Sequence, residues 1–342
     1  MNDKYASITE GLEENLRGNK EAGTFSITTD LRNVYYNFTA EERIKLGTGK
    51  NLPNGAEIFN DYINCRATGR YAHAENSSIA TGNYAHSEGY QCQALKDFSH
   101  SEGYISVTMG YGAHGEGAWS QAIGDYSHCE NVDCKSCGYG SHAEGIRTLA
   151  QGNYAHSEGN ETTALGAQSH TEGVRTKATA SASHSEGEGS ESSGNNSHSQ
   201  NYRTKAVGFG SHSEGGVTQA MGDYSHAGGL FTVASGIAAF THGEQLVAQY
   251  RAQMSVGKYN NNKENNLFEV GNGASDSNRS NAFEVHSDGR VSVGADPKED
   301  MDVVNLKTLM DIVGNINEIL ITITDGSARE VLTTVVDGEV EE

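Results

Sequence analysis

The sequence predicts a mainly β fold, a parallel β-roll or β-solenoid of about twelve turns with 14 residues in each turn. Two observations favour this fold: histidines recur at a fixed interval, and a glutamate follows most of them two positions later. The first step between histidines is 13 residues and every later step is 14. Such a period is too short for helix-pair repeats and fits one flattened turn with two short strands. The recurring histidines are His73, His86, His100, His114, His128, His142, His156, His170, His184, His198, His212 and His226, with a looser turn expected at His242.

Each turn follows the pattern G-x-Y-S-H-S-E-G-x-x-T-x-A-x. Its two strands, S-H-S-E-G and T-x-A-x-G, alternate small and larger residues with the period of two that strands require. Small residues flank every histidine, as Ser99 and Ser101 flank His100, so the small residues are predicted to face a narrow interior. Histidine and glutamate then point outward. The recurring glycines are expected to supply turns with positive φ.

The outward histidines and glutamates are predicted to form parallel ladders along one face of the solenoid. We interpret these ladders as a structural polar array, because a specific metal or catalytic site rarely recurs a dozen times in one chain. Binding of Zn²⁺ or Ni²⁺ by clustered histidines is the alternative. No catalytic residue, cofactor or metal site is therefore predicted. The expected ladder residues are His86, Glu88, His100, Glu102, His114, Glu116, His142, Glu144, His156, Glu158, His170, Glu172, His184, Glu186, His212 and Glu214.

Composition limits the functional classes. The hydrophobic fraction is only 35%, and 42 glycines accompany 2 prolines, so a large aliphatic core is not expected. The formal charge of −21 disfavours binding to nucleic acid phosphates. The sequence has no 18-residue apolar run for a membrane span. The first twenty residues lack the apolar segment of a secretory signal, so we expect synthesis and retention in a cytoplasm until release.

Cysteines and aromatic residues offer further candidate sites. An odd number of cysteines argues against a disulfide framework. A zinc cluster of Cys129, Cys134, Cys137 and His128 is disfavoured, because alternating strand directions would scatter the thiols. Aromatic residues two positions before histidine predict either turn packing or a stripe that stacks on sugars. These aromatic residues are Tyr71, Tyr84, Phe98, Tyr126, Tyr154 and Tyr224.

Four segments are predicted along the chain. Residues 1–65 are expected to form an N-terminal anchor with a short helix near Leu12 and Leu16 and a β meander. Residues 66–245 form the repeat shaft, residues 246–300 a small β module, and residues 301–342 a short coiled-coil helix and tail. The meander strands are predicted at Phe25–Thr28, Val34–Phe38 and Arg43–Leu46, and the later strands at Leu267–Val270, Ala282–His286 and Val291–Val293. The expected coiled-coil seam is Leu306, Leu309, Val313, Ile316 and Leu320.

The repeats, over about residues 66–245, resemble the parallel β-roll heads of trimeric autotransporter adhesins in a His/Glu variant. Turns of the form Y-S-H-A-E-G also resemble stretches of bacteriophage tail-fibre, head-fibre and appendage proteins, and residues 23–46 and 266–294 resemble segments that flank such shafts. The resemblance implies a homotrimeric structural protein of a virion. It would bind other virion proteins through its N-terminal region and contact a host-surface glycan or protein, without nucleic acid or membrane.

Two alternatives to the virion protein remain. A bacterial trimeric surface adhesin would require a secretion signal, which the sequence does not show. A glycan-degrading fibre would require paired carboxylates in grooves between subunits. No Ser/His/Asp triad can be assigned, because every Ser-His pair is a repeat element. We therefore predict that the chain is not an enzyme.

Overall fold

The structure, a computed structural model, describes residues 65–313 without interruption and the backbone of five earlier strands. Among these strands, Phe25–Thr28, Asn33–Asn37 and Arg43–Asn51 pair antiparallel in sequence order. The helix predicted near Leu12 and Leu16 lies outside the described residues. The five strands are Ile8–Gly11, Phe25–Thr28, Asn33–Asn37, Arg43–Asn51 and Glu57–Phe59.

From residue 65 the chain winds into a parallel β-solenoid of about 15 turns. Each turn contributes one short strand to each of two parallel sheets. The first sheet, called the histidine sheet, contains the strands that begin at the recurring histidines and their continuation. Its strands after Glu57–Phe59 are His73–Glu75, His86–Ser87, His100–Ser101, His114–Gly115, His128–Val132, His142–Ile146, His156–Asn160, His170–Thr171, His184–Ser185, His198–Ser199, His212–Ser213, His226–Leu230, Phe240–Glu244, Met254–Lys258 and Asn266–Asn272.

The second sheet, called the alanine sheet, lies on the opposite side of each turn and has fourteen strands. Most of its strands end in an inward alanine. The strands are Arg66–Ala67, Ile79–Ala80, Gln93–Ala94, Val107–Thr108, Gln121–Ala122, Lys135–Ser136, Leu149–Ala150, Thr163–Ala164, Lys177–Ala178, Glu191–Ser192, Lys205–Ala206, Gln219–Ala220, Val233–Ala234 and Val247–Ala248.

Equivalent residues of successive turns pair with one another in both sheets. His100 pairs with His114, and the 13-residue first step still pairs His73 with His86. Parallel pairing also continues after the last recurring histidine, through Met254–Lys258 to Asn266–Asn272. The solenoid therefore has more turns than the repeat pattern predicts, because backbone hydrogen bonds between turns do not depend on the histidine side chain.

The interior is filled by small residues, as predicted from their alternation. Ala122 and Ala150 have no exposed surface, and the interior serine and threonine residues are also buried. Their hydroxyl groups bond to one another and to backbone carbonyls: the Ser106 and Ser120 Oγ atoms of adjacent turns are 2.7 Å apart, and Thr162 Oγ1 donates to the Glu158 carbonyl at 3.0 Å. Hydroxyl groups thus replace part of the apolar contact that a larger core would supply.

The recurring glycines have two different structural roles. Those that follow the glutamate, such as Gly159 with φ of +104°, adopt the positive φ expected from the sequence. Those four positions before a histidine are required for space instead: a Cβ on Gly152 would lie 1.9 Å from the Gly166 carbonyl oxygen. Positive φ before the histidine sheet belongs to other residues, including Tyr126 and Tyr154. The expectation that all the recurring glycines provide positive φ is therefore wrong.

The cysteine prediction needs one correction. Cys129 lies in the strand His128–Val132 and Cys134 immediately precedes the facing strand Lys135–Ser136; their Cα atoms are 6.0 Å apart and they form a disulfide. Both are buried because they occupy inward small-residue positions, whereas Cys137 points to the partly exposed outer side. The alternation of strand directions separates Cys137 from the pair but brings Cys129 and Cys134 together.

The last solenoid turn is closed by a buried polar cluster around Glu269. This glutamate has no exposed surface and continues an inward column whose preceding member is Ser255. Asn260 Nδ2 donates to Glu269 Oε2 at 2.6 Å, and Asn266 Nδ2 donates to Oε1 at 2.8 Å. The backbone N–H of Lys263 also donates to Oε1, at 3.0 Å. The cluster therefore gives both carboxylate oxygens of Glu269 hydrogen-bond donors where the repeated interior ends, whereas Asn266 Oδ1 is buried without a partner.

After the solenoid, Asn281–His286 pairs antiparallel with Asn266–Asn272 and with Val291–Val293. Residues 306–313 are helical. Leu306, Leu309 and Val313 of the predicted seam are exposed there, and the remaining seam residues, Ile316 and Leu320, lie outside the described residues. Within the part of the chain that the structure describes, none of the helical segments has the length and apolar character to cross a membrane.

Candidate functional site

The outward face of the histidine sheet carries a continuous stack of imidazole rings. From His86 to His212, neighbouring rings are stacked with centroids 4.6 to 5.0 Å apart. At the two ends the geometry changes, because His73 meets His86 edge-on and His212 meets His226 edge-on. The spacing follows from strand pairing, since parallel neighbours lie about 4.8 Å apart.

The glutamates form a second column beside the histidines, so the structure brings the residues of the predicted ladder onto one face. Within a turn, histidine Nε2 lies 3.6 Å from the carboxylate in His100 and Glu102, and 3.7 Å from it in His156 and Glu158. These distances are beyond a hydrogen bond. The Nε2 atoms that are buried without a hydrogen-bond partner belong to His100, His114, His128, His142, His156, His170, His184, His198, His212 and His226.

Carboxyl groups of the glutamate column alternate in pKa. Burial and hydrogen bonds with the adjacent carboxyls raise the pKa of Glu102 to about 7. A hydrogen bond with Glu144, together with burial, raises the pKa of Glu130 to about 7. The same hydrogen bond lowers the pKa of Glu144. Ionising two adjacent carboxyl groups is costly because their negative charges repel each other. Neighbouring carboxyl groups therefore share protons near neutral pH.

Several histidines of the stack have a lowered pKa, which favours their neutral form. Burial, together with the neighbouring His184 and His212, lowers the pKa of His198 from 6.5 to about 4. Burial also lowers the pKa of His100 and His170. In the unfolded chain these rings gain protons below about pH 6.5, whereas His198 in the folded chain does so only near pH 4. Their contribution to stability is therefore complete above pH 6.5 and is lost as the pH falls towards 4.

Replacing Glu130 with glutamine is expected to raise the free energy of unfolding at pH 8 by about 1 kcal/mol, after allowance for solvent screening. The raised pKa of Glu130 means that ionisation above pH 7 costs stability in the folded chain, and glutamine does not ionise. Only a small gain is expected at pH 5, where folded Glu130 is protonated. Urea denaturation at both pH values measures the difference, with the exposed Glu264→Gln as control. Equal gains at pH 5 and pH 8 would rule out this explanation.

The histidine column ends one turn earlier than the sequence predicts. His226 pairs with Phe240, not with His242. His242 instead pairs with Gly228 and therefore occupies the column of the glutamates. The prediction of a looser turn at His242 is therefore wrong. The residue 14 positions after His226 is Phe240, and Phe240 continues the histidine column.

A second outward feature is a column of aromatic rings at the corner that precedes the histidine sheet. Consecutive ring centroids are 5.1 to 5.5 Å apart. The rings pack on one another yet keep 39% to 60% of their surface exposed. Tyr224, which the sequence also singled out, contacts Phe209 in a separate pair. The members of the continuous column are Tyr71, Tyr84, Phe98, Tyr111, Tyr126, Tyr139 and Tyr154.

Two members of this column, Tyr111 and Tyr139, lie one position earlier in their turns than the others, so a fixed spacing of two residues before histidine does not predict them. Each is followed by a glycine. A Cβ on Gly112 would lie 3.1 Å from the ring of Tyr126, so the glycine leaves space for the aromatic ring of the next turn. In these two turns the aromatic residue comes first and a glycine takes the usual aromatic position. This Tyr-Gly pair is the signal in the sequence, and every turn of the column still contributes one aromatic ring.

The repeats place serine and histidine side chains on opposite faces of the histidine sheet. In the described repeats, the serines beside each histidine point inward: Ser99 and Ser101 are buried, whereas the His100 ring lies on the outer face. Adjacent serine and histidine therefore cannot act as a nucleophile and its base. Comparison with models of known protein families finds no match, and no curated protein matches the sequence.

Proposed function

We propose that the chain is a structural protein of a bacteriophage fibre or appendage, in which three copies associate and the solenoid forms the shaft. The observation that carries this proposal is the uninterrupted parallel stacking of about 15 turns. A solenoid in which each turn contacts only its neighbours is a quasi-one-dimensional rod. At about 4.8 Å per turn, the rod is about 70 Å long. Such a shaft separates its two ends, as a fibre between a virion and a host surface requires.

Association of three chains is supported by apolar residues that repeat along the outer surface. Met109, Leu165 and Met221 recur beside the alanine sheet and are each about 40% exposed. Large exposed apolar patches on a soluble protein mark contact surfaces. The exposed Leu306 and Leu309 extend this property to the helical residues near the C-terminal end.

The aromatic column gives the proposed fibre a surface for host contact. Tyrosine rings present an apolar face and a hydroxyl group together, which suits binding to sugar rings or to polar protein surfaces. The column spans the turns from Tyr71 to Tyr154 and is absent from the next turns, where Gln168, Ala182 and Asn196 occupy the position of the rings. A surface confined to part of the shaft is more consistent with a ligand than with an interface along the full rod.

The absolute mass of the purified full-length chain, measured by light scattering at pH 7.5, tests the proposed assembly. One chain has a mass of 36.5 kDa, and the proposal predicts a particle of three chains. Three copies would bury the repeated apolar residues, which are costly to leave in water. A monodisperse single chain across the accessible concentration range would contradict the trimeric fibre.

A further inference from the structure

The regular pattern of the glutamate column is interrupted in its last turns. Gln200 and Gly228 stand where the other turns have glutamate, and His242 follows Gly228 in the same column. Glu214 therefore has no glutamate neighbour on either side. The three residues that interrupt the column, Gln200, Gly228 and His242, all lie close to Glu214 on the outer face of the histidine sheet.

Three ligand atoms converge on the space that Gly228 leaves. A Cβ built on Gly228 would lie 2.6 Å from His242 Nδ1, 3.2 Å from His226 Nε2 and 3.3 Å from Glu214 Oε1. The three atoms lie within 4.8 Å of one another, and His226 Nε2 is 3.4 Å from Glu214 Oε1. Any larger side chain at position 228 would occupy this space.

Neighbouring residues orient two of the three groups, Glu214 and His226. Gln200 Nε2 donates a hydrogen bond to Glu214 Oε2 at 2.9 Å, which leaves Oε1 facing the space beside Gly228. Phe240 stacks on the His226 ring with centroids 4.8 Å apart, and His226 meets His212 edge-on rather than stacked. The His226 Nε2 atom is buried and has no hydrogen-bond partner. An outer shell of this kind fixes the orientation of metal ligands in proteins.

We propose that Glu214, His226 and His242 bind one divalent transition-metal ion of the Zn²⁺ class in the space left by Gly228. Two imidazole nitrogens and one carboxylate oxygen are a ligand set that such ions take in proteins, with the remaining position open to water.

The regular turns offer a different arrangement. His156, Glu158 and His170 also bring one ligand atom each within 4.8 Å of the others, but the two rings stack with their planes 1° apart and no glycine leaves space between them. Glu158 fills the position that is open at Gly228, and its carboxyl interacts with those of Glu144 and Glu172. The proposed ion therefore belongs to the interrupted turns and not to every rung of the ladder.

The test is titration of the full-length chain with ZnCl₂ at pH 7.5 by isothermal calorimetry, with metal content measured after dialysis. We expect one site per chain. His242→Ala removes an exposed ligand, and Gly228→Ala fills the space without adding a ligand. Each is expected to weaken Zn²⁺ binding at least about tenfold. Substitution of residues that only orient the metal ligands already causes a loss of this size in proteins. His170→Ala, in the regular ladder, is the matched control and should leave this site unchanged.

Two results would overturn the proposal. One is the absence of Zn²⁺ binding at micromolar concentrations by the folded wild-type chain. The other is binding of several ions that His170→Ala reduces and His242→Ala does not, which would place the metal on the regular ladder. Circular dichroism of each variant confirms that the solenoid is folded, and His242→Ala gives the decisive result if Gly228→Ala unfolds the last turns.

Discussion

Replacing Gly159 with valine is expected to lower the free energy of unfolding by about 3 to 5 kcal/mol. Gly159 has a φ of +104°, and a Cβ there would lie 2.2 Å from the Gly173 carbonyl oxygen. A β-branched residue is especially unfavourable at positive φ. The turn must therefore distort and weaken its pairing with the next one. Urea denaturation followed by circular dichroism measures the loss.

Gly159→Asn is the matched control for this substitution. Asn131 and Asn201 occupy the same position of their own turns, with φ values of 80° and 79°. Asparagine tolerates this conformation, so it is expected to cost about 2 kcal/mol less than valine, although its Cβ meets the same Gly173 carbonyl oxygen. If asparagine and valine destabilise the chain equally, the backbone conformation of this glycine column is not the cause.

Replacing Glu269 with alanine is expected to cost about 3 kcal/mol of unfolding free energy. The substitution leaves Asn260, Asn266 and the Lys263 N–H without the acceptor that each now uses. Because these donors are buried or partly buried, water cannot fully replace the carboxylate. Hydrogen exchange of the last turns, together with urea denaturation, measures the effect.

The control for Glu269 is Glu264→Ala, which removes an exposed glutamate from the same loop. It is expected to change stability by less than about 0.5 kcal/mol, as is usual for exposed positions. Similar losses for the two alanine variants would show that the loop tolerates no change, and would contradict a specific role for the buried carboxylate at the end of the solenoid.

The solenoid and its faces could be predicted from the sequence because the chain repeats one turn many times. The small residues beside His100 had to face inward for the histidine to face outward, and the structure confirms this alternation. Pairing between turns then places equivalent residues beside each other, so the histidine ladder follows directly from the period. In this part of the chain, the local sequence pattern is therefore sufficient to predict how the turns pack on one another.

Other features could not be predicted because they depend on departures from the repeat. The histidine spacing predicts His242 in the histidine column, although the backbone register places Phe240 there. The odd number of cysteines argues against a disulfide framework, but the inward positions of Cys129 and Cys134 bring these two together across one turn. The proposed metal site is visible only when Gly228 and His242 are considered as neighbours in space.

The 14-residue parallel register is the central claim, and engineered cysteine pairs test it most directly. Thr163 and Lys177 are partners in adjacent turns of the alanine sheet and face outward. Their Cα atoms should be about 4.8 Å apart, within the range that a disulfide spans. Thr163 and Glu191 are two turns apart, at about twice that distance. The measurement is mild oxidation of each double-cysteine variant, followed by peptide mapping of disulfides within one chain.

The solenoid predicts that Thr163→Cys with Lys177→Cys forms an intrachain disulfide and that Thr163→Cys with Glu191→Cys does not. Failure of the first pair, or faster bonding of the second, would contradict the register and with it the histidine, glutamate and aromatic columns that depend on it.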